Sequence, residues 1–202
     1  MRAFNLGLSI ALTIGVALAG APVVRAADDA FRPPALAELR SQAMKGITIG
    51  AKAFESAAQV KQAFGKVDPV KYGVLPVYLV IENKSDKAVT LSSMKAEYVD
   101  LDKSRIEAMP VSEVRYANGP TKPNINQPPV WPIPRKMIKK NPLNDRIIEE
   151  RGFAAKILPP GETARGFLYF DTVFRSGATL YVSGLKDSAS GQDLFYFEIV
   201  LE

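Results

Sequence analysis

The chain has no cysteine and no histidine among its 202 residues, and it has a single tryptophan. Without cysteine the protein forms no disulfide, so its stability must come from packing. Without histidine it lacks the commonest general base, the commonest zinc ligand and the base of Ser-His and Cys-His nucleophile pairs. These absences exclude most of the common catalytic arrangements, although they leave open catalysis by carboxylates alone.

Sequence motifs for cofactor chemistry are also missing. The chain contains no glycine-rich phosphate loop, no dinucleotide-binding fingerprint and no Gly-x-Ser-x-Gly elbow, so we predict no cofactor and no metal site. Ser-x-x-Lys spacing occurs at 92–95 and again at 183–186. That chemistry needs the serine at a helix start, whereas both matches fall at the ends of predicted strands. We interpret both as chance spacing.

Polar clusters that could suggest other sites are better interpreted as turns. Asp100 and Asp102 could offer oxygens to calcium, but the further ligands and the glycine bend of a calcium loop are missing. Asn83-Lys84-Ser85 matches a glycosylation acceptor and is also a strong turn sequence. Turn formation is the prediction for each of them.

The amino terminus predicts export. A basic start at Met1-Arg2 precedes an apolar run over 6–18, and Val24-Arg25-Ala26 places compact residues before a cleavage point. This is the layout of a secretory signal peptide over residues 1–26, cleaved after Ala26. The predicted location is periplasmic or extracellular.

Two alternatives to this cleavage remain open. Ala19-Gly20-Ala21 offers a second cleavage site. The segment 6–24 carries no charge and could instead serve as a membrane anchor, although its small residues favour removal. Removal of the signal lowers the net charge from +5 to +3, because Arg2 and Arg25 leave with it.

The rest of the chain is organised around the apolar segment 74–83. It is nearly all β-branched, aromatic or aliphatic, and the turn formers of 83–87 end it. A continuous apolar run of this length, bounded by turn residues, predicts a strand buried on both faces. We expect this strand at the centre of the domain.

Weaker strand patterns and a few helical ones surround that segment. Strands are predicted at 47–51, 88–91, 94–101, 106–109, 153–158, 164–171, 179–183 and 194–201. Short helices are predicted at 35–45, 56–65 and 143–151, one helical turn at 111–116, and a hairpin loop at 184–191. Ser56 is the predicted N-cap and Gly65 the predicted stop of the second helix. The predicted fold is mainly β: an antiparallel immunoglobulin-like β-sandwich with short helices. Its predicted parts are a leader with a short helix over 27–45 and a sandwich domain over 46–202, with a long proline-rich basic insertion at 111–152.

Two motifs resemble those of secreted bacterial immunoglobulin-like domains. The apolar strand ends in Asn83 followed by polar residues, and Pro160-Gly161-Glu162 leads into Gly166 and the aromatic residues after it. The resemblance covers about residues 74–200, and its motifs are structural. It implies the fold and transfers no functional site. The basic insertion is not part of the general pattern of such domains.

The insertion has the most distinctive physical profile in the sequence. Residues 120–134 hold six prolines, which exclude a central strand there, and they include Trp131. Residues 115–140 carry six cations and no Asp or Glu, so the basicity of the chain is local. A stiff segment with an aromatic anchor and clustered cations suits an anionic surface or an acidic protein partner. The predicted binding residues are Trp131, Arg135, Lys136, Lys139 and Lys140.

A structural interpretation of this segment competes with the binding one. Trp131 and Ile133 could cover an open sheet edge while the cations point into water. The sequence-based prediction is nevertheless a non-enzymatic interaction or scaffold domain of the cell envelope. The expected partner is an anionic lipid, a cell-wall polymer or a protein, and not nucleic acid.

Two further functional hypotheses remain open. A carbohydrate-binding module would need Tyr116 and Trp131 to form a flat aromatic platform. A carboxylate-only glycosidase would use Glu149 or Glu150 with a second carboxylate about 5 to 10 Å away.

Overall fold

A computed structural model of the protein describes residues 31–117 and 141–202. The predicted signal peptide at 1–26 lies outside the described residues, and so do its alternatives. The predicted binding residues of the insertion also lie outside them: Trp131, Arg135, Lys136, Lys139 and Lys140. Ile133, the other residue of the edge-covering interpretation, is likewise outside.

The described residues form eleven strands, two α-helices and three 3₁₀-helices. The strands are β1 Arg40–Met44, β2 Ile47–Ala53, β3 Val74–Asn83, β4 Val89–Thr90, β5 Lys95–Val99, β6 Arg105–Glu107, β7 Ile157–Leu158, β8 Thr163–Asp171, β9 Thr179–Ser183, β10 Lys186–Asp187 and β11 Phe197–Val200. The helices are α1 Ala57–Phe64 and α2 Arg146–Arg151, with 3₁₀-helices at Leu36–Glu38, Val70–Tyr72 and Val111–Tyr116.

The strands form three antiparallel sheets. Two are four-stranded, with orders β1-β2-β3-β8 and β11-β9-β5-β6, and the third is β10-β4-β7. The two larger sheets contribute to one hydrophobic core, in which β3 residues join Tyr98, Leu180 and Phe197 of the opposite sheet. The prediction of a mainly β, antiparallel fold with short helices is confirmed. The immunoglobulin-like form of the sandwich stays a prediction.

The central strand β3 is buried on both faces, as predicted. Successive side chains point to opposite faces of a strand. Leu75, Val77 and Leu79 therefore enter the core shared by the two large sheets. Tyr78 and Val80 enter a second core on the other face.

The second core is closed by a layer of helices. Helix α1 contributes Val60, Ala63 and Phe64, and residues from the Val111–Tyr116 turn and from α2 join them. The predicted cap is confirmed, because the Ser56 side chain accepts from Gln59 N and the Gln59 side chain accepts from Ser56 N. Gly65 ends the helix as its C-cap, as its sequence position indicated.

The helix predicted over 35–45 is wrong. The described chain has a short 3₁₀-helix at Leu36–Glu38, and strand β1 then pairs with β2. The turn between these strands consists of Lys45 and Gly46, which both have positive φ, at 49° and 80°. Positive φ at both central residues is the geometry of a type I′ turn, which is favoured in two-residue hairpins, and this local geometry overrides the helical spacing of the apolar residues.

Other predicted elements differ in extent, among them the helix over 143–151, which is Arg146–Arg151, and the strand over 194–201, which is Phe197–Val200. The loop predicted at 184–191 contains strand β10, which pairs with β4. The strand predicted over 153–158 is reduced to β7, and Phe153 instead donates its N–H to the Phe167 carbonyl at 2.9 Å. Residue 153 therefore lies along the outer edge of β8.

Asn83, a buried polar residue, ends the central strand and makes several side-chain hydrogen bonds. Its side chain has no exposed surface. The amide Nδ2 donates to the carbonyls of Lys87, Leu158 and Pro159 at 2.7, 3.0 and 3.1 Å, and Oδ1 accepts from Ser85 N and Oγ. Its main chain also bonds to the Pro160-Gly161-Glu162 turn, so the two motifs of the resemblance are in direct contact.

Asn83→Ala is expected to lower the free energy of unfolding by about 2–4 kcal/mol, because several buried carbonyls and N–H groups lose their partner at once. Urea unfolding followed by circular dichroism measures the change. The matched control is Asn144→Ala, at an exposed position, which should change the value by less than about 0.5 kcal/mol. Equal effects of the two changes would contradict the role assigned to Asn83.

Candidate functional site

Two residues within the insertion, one on each side of 118–140, are tied together in the described part of the chain. Asn141 Nδ2 donates to the Arg115 carbonyl, and Asn141 Oδ1 accepts from Leu143 N at 3.0 Å. The Arg115 guanidinium lies over the Tyr116 ring, 5.1 Å from its centroid. The residues on either side of 118–140 therefore meet at one point on the folded body.

The residues proposed for the other functional hypotheses have ordinary surroundings. Tyr116 is half-buried beneath Arg115. Glu149 and Glu150 are exposed on α2, and Glu150 pairs with Arg146 at 3.4 Å, one helical turn away. Such a pair is common on the surface of a helix.

The polar motifs interpreted as turns act as turns. Asp102 accepts from Ser104 N at 2.9 Å, and Asp100 accepts from Leu101 N at 2.7 Å. Of the two Ser-x-x-Lys matches, the first places Ser92 near the Lys156 carbonyl, to which its hydroxyl donates at 3.3 Å. The two aspartates satisfy the backbone of a loop, so their predicted turn roles are confirmed.

A site that the sequence did not indicate lies on the helical side of the first sheet. It is a cavity of about 300 Å³. We call it the arginine pocket and define it by Phe31, Tyr78, Arg151, Arg165 and Phe167, which line it.

The walls of the arginine pocket follow from the sheet register. Tyr78 of β3 and Phe167 of β8 are directly opposite each other, with ring centroids 5.1 Å apart. Arg165 lies two residues from Phe167 on β8, so it projects from the same face. The Phe31 ring packs 5.7 Å from that of Phe167, and the Arg151 guanidinium lies 4.4 Å above Phe31.

Helix α2 places Arg151 at the cavity. It begins at its cap Asp145, whose side chain accepts from Ile147 N. It is fastened to the sheet by Tyr169, whose hydroxyl donates to the Ile148 carbonyl at 2.9 Å. Burial raises the pKa of Tyr169 strongly, so the hydroxyl stays protonated and remains a donor. Arg151 is the last residue of this fastened helix.

The polar atoms of the pocket are poorly satisfied. Tyr78 Oη and Arg151 Nε are buried and have no hydrogen-bond partner within the described residues. Burial raises the pKa of Tyr78 and lowers that of Arg151. The Arg165 guanidinium opposes the rise for Tyr78 through its charge and through donation toward the hydroxyl oxygen, and because arginine only donates, the hydroxyl proton itself has no acceptor. Within 31–117 and 141–202, neither Arg151 nor Arg165 has a carboxylate at ion-pair distance. The pocket therefore holds unused donors and two unpaired cations.

A second polar cavity, of about 260 Å³, lies beside the third sheet, and three of the charged residues that line it, Lys87, Asp187 and Asp193, are in ion pairs. The Asp187 carboxylate accepts from Ala189 N at 2.8 Å and from Ser190 N at 3.0 Å, and Lys87 Nζ lies 3.1 Å away. Lys186 pairs with Asp193 at 3.6 Å. These contacts hold the turn after β10.

The two buried tyrosines of the arginine-pocket region make a matched pair for mutation. Tyr78→Phe removes a hydroxyl without a partner, so stability should stay constant or rise by up to about 1 kcal/mol. Tyr169→Phe removes a hydroxyl that bonds to Ile148, so stability should fall by about 1–2 kcal/mol. Chemical denaturation of both variants measures the difference, and a larger loss for Tyr78→Phe would contradict the assignment.

Asp187 should make stability depend on pH at the acid end. Hydrogen bonding from Ser190 N and from Lys87 lowers its pKa to about 2. Because the folded pKa lies below the unfolded value of about 4, the stabilisation is present above about pH 4 and is lost as the pH falls towards 2. Asp187→Asn should therefore be less stable than the wild type near neutral pH, and the difference should shrink on acidification.

The control for this measurement is Asp193→Asn, which alters an exposed carboxylate in the same turn region. Its difference from the wild type should be small near neutral pH. A difference for Asp187→Asn that stays constant from pH 7 to pH 2 would show that its charge does not stabilise the fold.

No helix among the described residues is long and apolar enough to cross a membrane.

Comparison with known proteins gives distant structural likenesses. No family model matches the chain, and no curated protein matches it. The yjhA protein of Bacillus subtilis is 12% identical at a TM-score of 0.40, over 80% of this chain and 96% of its own. A putative lipoprotein of the same organism is 8% identical at a TM-score of 0.37, over 80% of this chain and 38% of its own. A secreted protein of Mycobacterium tuberculosis is 16% identical at a TM-score of 0.32, over 83% of this chain and 98% of its own. Likenesses this weak assign the chain neither a family nor a function.

Proposed function

We propose that the protein is an exported, non-enzymatic interaction domain of the cell envelope that works in the periplasm or outside the cell. Its contact segment is the basic insertion, with Trp131, Arg135, Lys136, Lys139 and Lys140 as binding residues. The partner is an anionic surface of the envelope, or a protein that presents acidic groups.

The observation that carries this proposal is the junction at Arg115 and Asn141. The side chain of Asn141 binds the Arg115 carbonyl, so the segment between them starts and returns at one point of a packed body. A segment anchored in this way can be presented to a partner without changing the sheets. Its cations and prolines then favour binding, because clustered positive charge attracts polyanions and a stiff chain loses little entropy.

The competing interpretation is that Trp131 and Ile133 cover an open sheet edge. At β8, other segments of the chain already bond to the outer edge. Met109 N donates to the Tyr169 carbonyl at 2.8 Å, and Phe153 N donates to that of Phe167 at 2.9 Å. At Gly166 an added Cβ would lie 2.6 Å from the Phe153 Cα, so the crossing segment lies directly against the strand. This edge is therefore already protected at these positions, so no further cover is needed there.

We also propose that the sandwich is immunoglobulin-like. The support is the contact between Asn83 at the end of β3 and the Pro160-Gly161-Glu162 turn before β8. These are the two motifs of the resemblance, and they bond to each other at one end of β3. The experiment for this proposal is an experimental structure of the chain, whose strand connections would bear it out or refute it.

Co-sedimentation with purified envelope material tests the binding proposal. The protein should pellet at low salt and be released at high salt, because exposed charge interactions are screened. A variant with Arg135, Lys136, Lys139 and Lys140 changed to Glu should stay in the supernatant. The matched control reverses four cations elsewhere in the chain, namely Lys61, Lys66, Lys95 and Lys156, all of them exposed.

The control variant has the same net charge as the insertion variant, so net charge alone would make the two behave alike. Equal loss of binding in both would overturn the insertion as a contact site. A wild-type protein that stays in the supernatant at low salt would overturn the anionic surface as the partner.

A further inference from the structure

The arginine pocket has the features of a ligand site, and it is separate from the insertion residues of the proposed function. Its lining combines aromatic rings with two guanidinium groups, and it includes a buried tyrosine whose hydroxyl has no partner. Tyr78 is 2% exposed. A buried donor without a partner destabilises the fold, and a ligand that accepts a hydrogen bond from it would offset that destabilisation.

The positive charge of the pocket determines which kind of polar group a ligand must carry. Arg151 and Arg165 have no carboxylate at ion-pair distance within the described residues. Glu150 also lines the cavity; it pairs with Arg146 on α2, and its charge acts on Arg151 from beyond ion-pair distance. Guanidinium groups bind carboxylates and phosphates through two parallel hydrogen bonds. An oxyanion is the group that these donors would bind best.

The apolar walls of the pocket set a second requirement for the ligand, which is an apolar part. Phe31 and Phe167 form apolar sides, and the volume of about 300 Å³ is at the small end of ligand cavities. An inorganic anion alone would leave the rings without contact. A small apolar or aromatic body attached to the oxyanion would pack against them.

We propose that the arginine pocket binds a small oxyanion, a carboxylate or a phosphate, carried on an aromatic or apolar body. Arg151 and Arg165 hold the oxyanion, Tyr78 donates its hydroxyl to it, and Phe31 and Phe167 pack on the body. This site is independent of the proposed function of the insertion.

Titration followed by amide NMR shifts tests the proposal. The probes are benzoate and phenyl phosphate, with benzyl alcohol as the uncharged counterpart. The amides of Gly152 and Gly166 report on the site, because both residues line the cavity. Saturable shifts at these amides with either anion, and not with benzyl alcohol, are the expected result. The tighter of the two anions identifies the kind of oxyanion that the pocket takes.

Variants separate the pocket from general charge effects. Arg165→Gln should weaken anion binding by at least about tenfold, since charge-assisted hydrogen bonds are the strong ones. Tyr78→Phe should weaken it severalfold while the fold stays intact, which the denaturation measurement checks. The control is Lys66→Gln, which removes an exposed cation outside the pocket and should leave binding unchanged. The variant with the four reversed insertion cations should also bind normally.

Three outcomes would overturn the proposal. The first is the absence of saturable shifts with both anions, and the second is equal binding of benzyl alcohol. The third concerns Asp28 and Asp29, which precede Phe31 by three and two residues in the chain. Binding that appears only after both are changed to Asn would mean that the chain's own acidic segment is the occupant, and not an external ligand.

Discussion

The burial of β3 on both faces is the constraint on which the rest of the structure depends. A ten-residue strand whose two faces are both apolar must be covered from both sides, because a single sheet partner would leave one face in water. The second four-stranded sheet covers one face through the core around Leu79 and Tyr98. The other face is covered by α1, α2 and the Val111–Tyr116 turn. The layers of the domain follow from this one strand, and so does the presence of helices in a protein that is otherwise β.

The arginine pocket is a consequence of how the helical layer is built. Helix α2 has only six residues, and its last residue, Arg151, lies at the sheet face opened by Tyr78 and Phe167. Ordinary apolar packing would continue across this face, as it does beneath Val60 and Phe64 of α1. At this place the aromatic surface instead lines a cavity together with Arg151 and Arg165. Its position is set by the strand register, since Tyr78 and Phe167 are opposite one another on neighbouring strands.

Sequence reasoning could predict the parts of this fold that depend on local patterns. Such features depend on residues that are close together in the sequence. They are the apolar run of β3, the Ser56 cap and Gly65 stop of α1, and the turn roles of Asp100 and Asp102. The pairing of β1 with β2 could not be predicted in this way, because positive φ at Lys45 is visible only in the backbone. The arginine pocket was missed for a related reason. Its residues come from four separate segments, and no spacing between 31, 78, 151 and 165 indicates that they meet.

Two buried polar side chains on the same strand show how structural and functional polarity differ. Asn83 bonds to three carbonyls and accepts from Ser85, so its polar atoms are used in closing the end of β3. Tyr78 lies five residues earlier, and its hydroxyl is as deeply buried but has no partner within the described residues. Folding alone accounts for Asn83, because removing it would leave its partners unsatisfied. Folding does not account for the hydroxyl of Tyr78, since phenylalanine would fill the same space without that cost. The hydroxyl therefore lacks an acceptor within the described residues, and the two arginines that line the same cavity would favour a negatively charged acceptor.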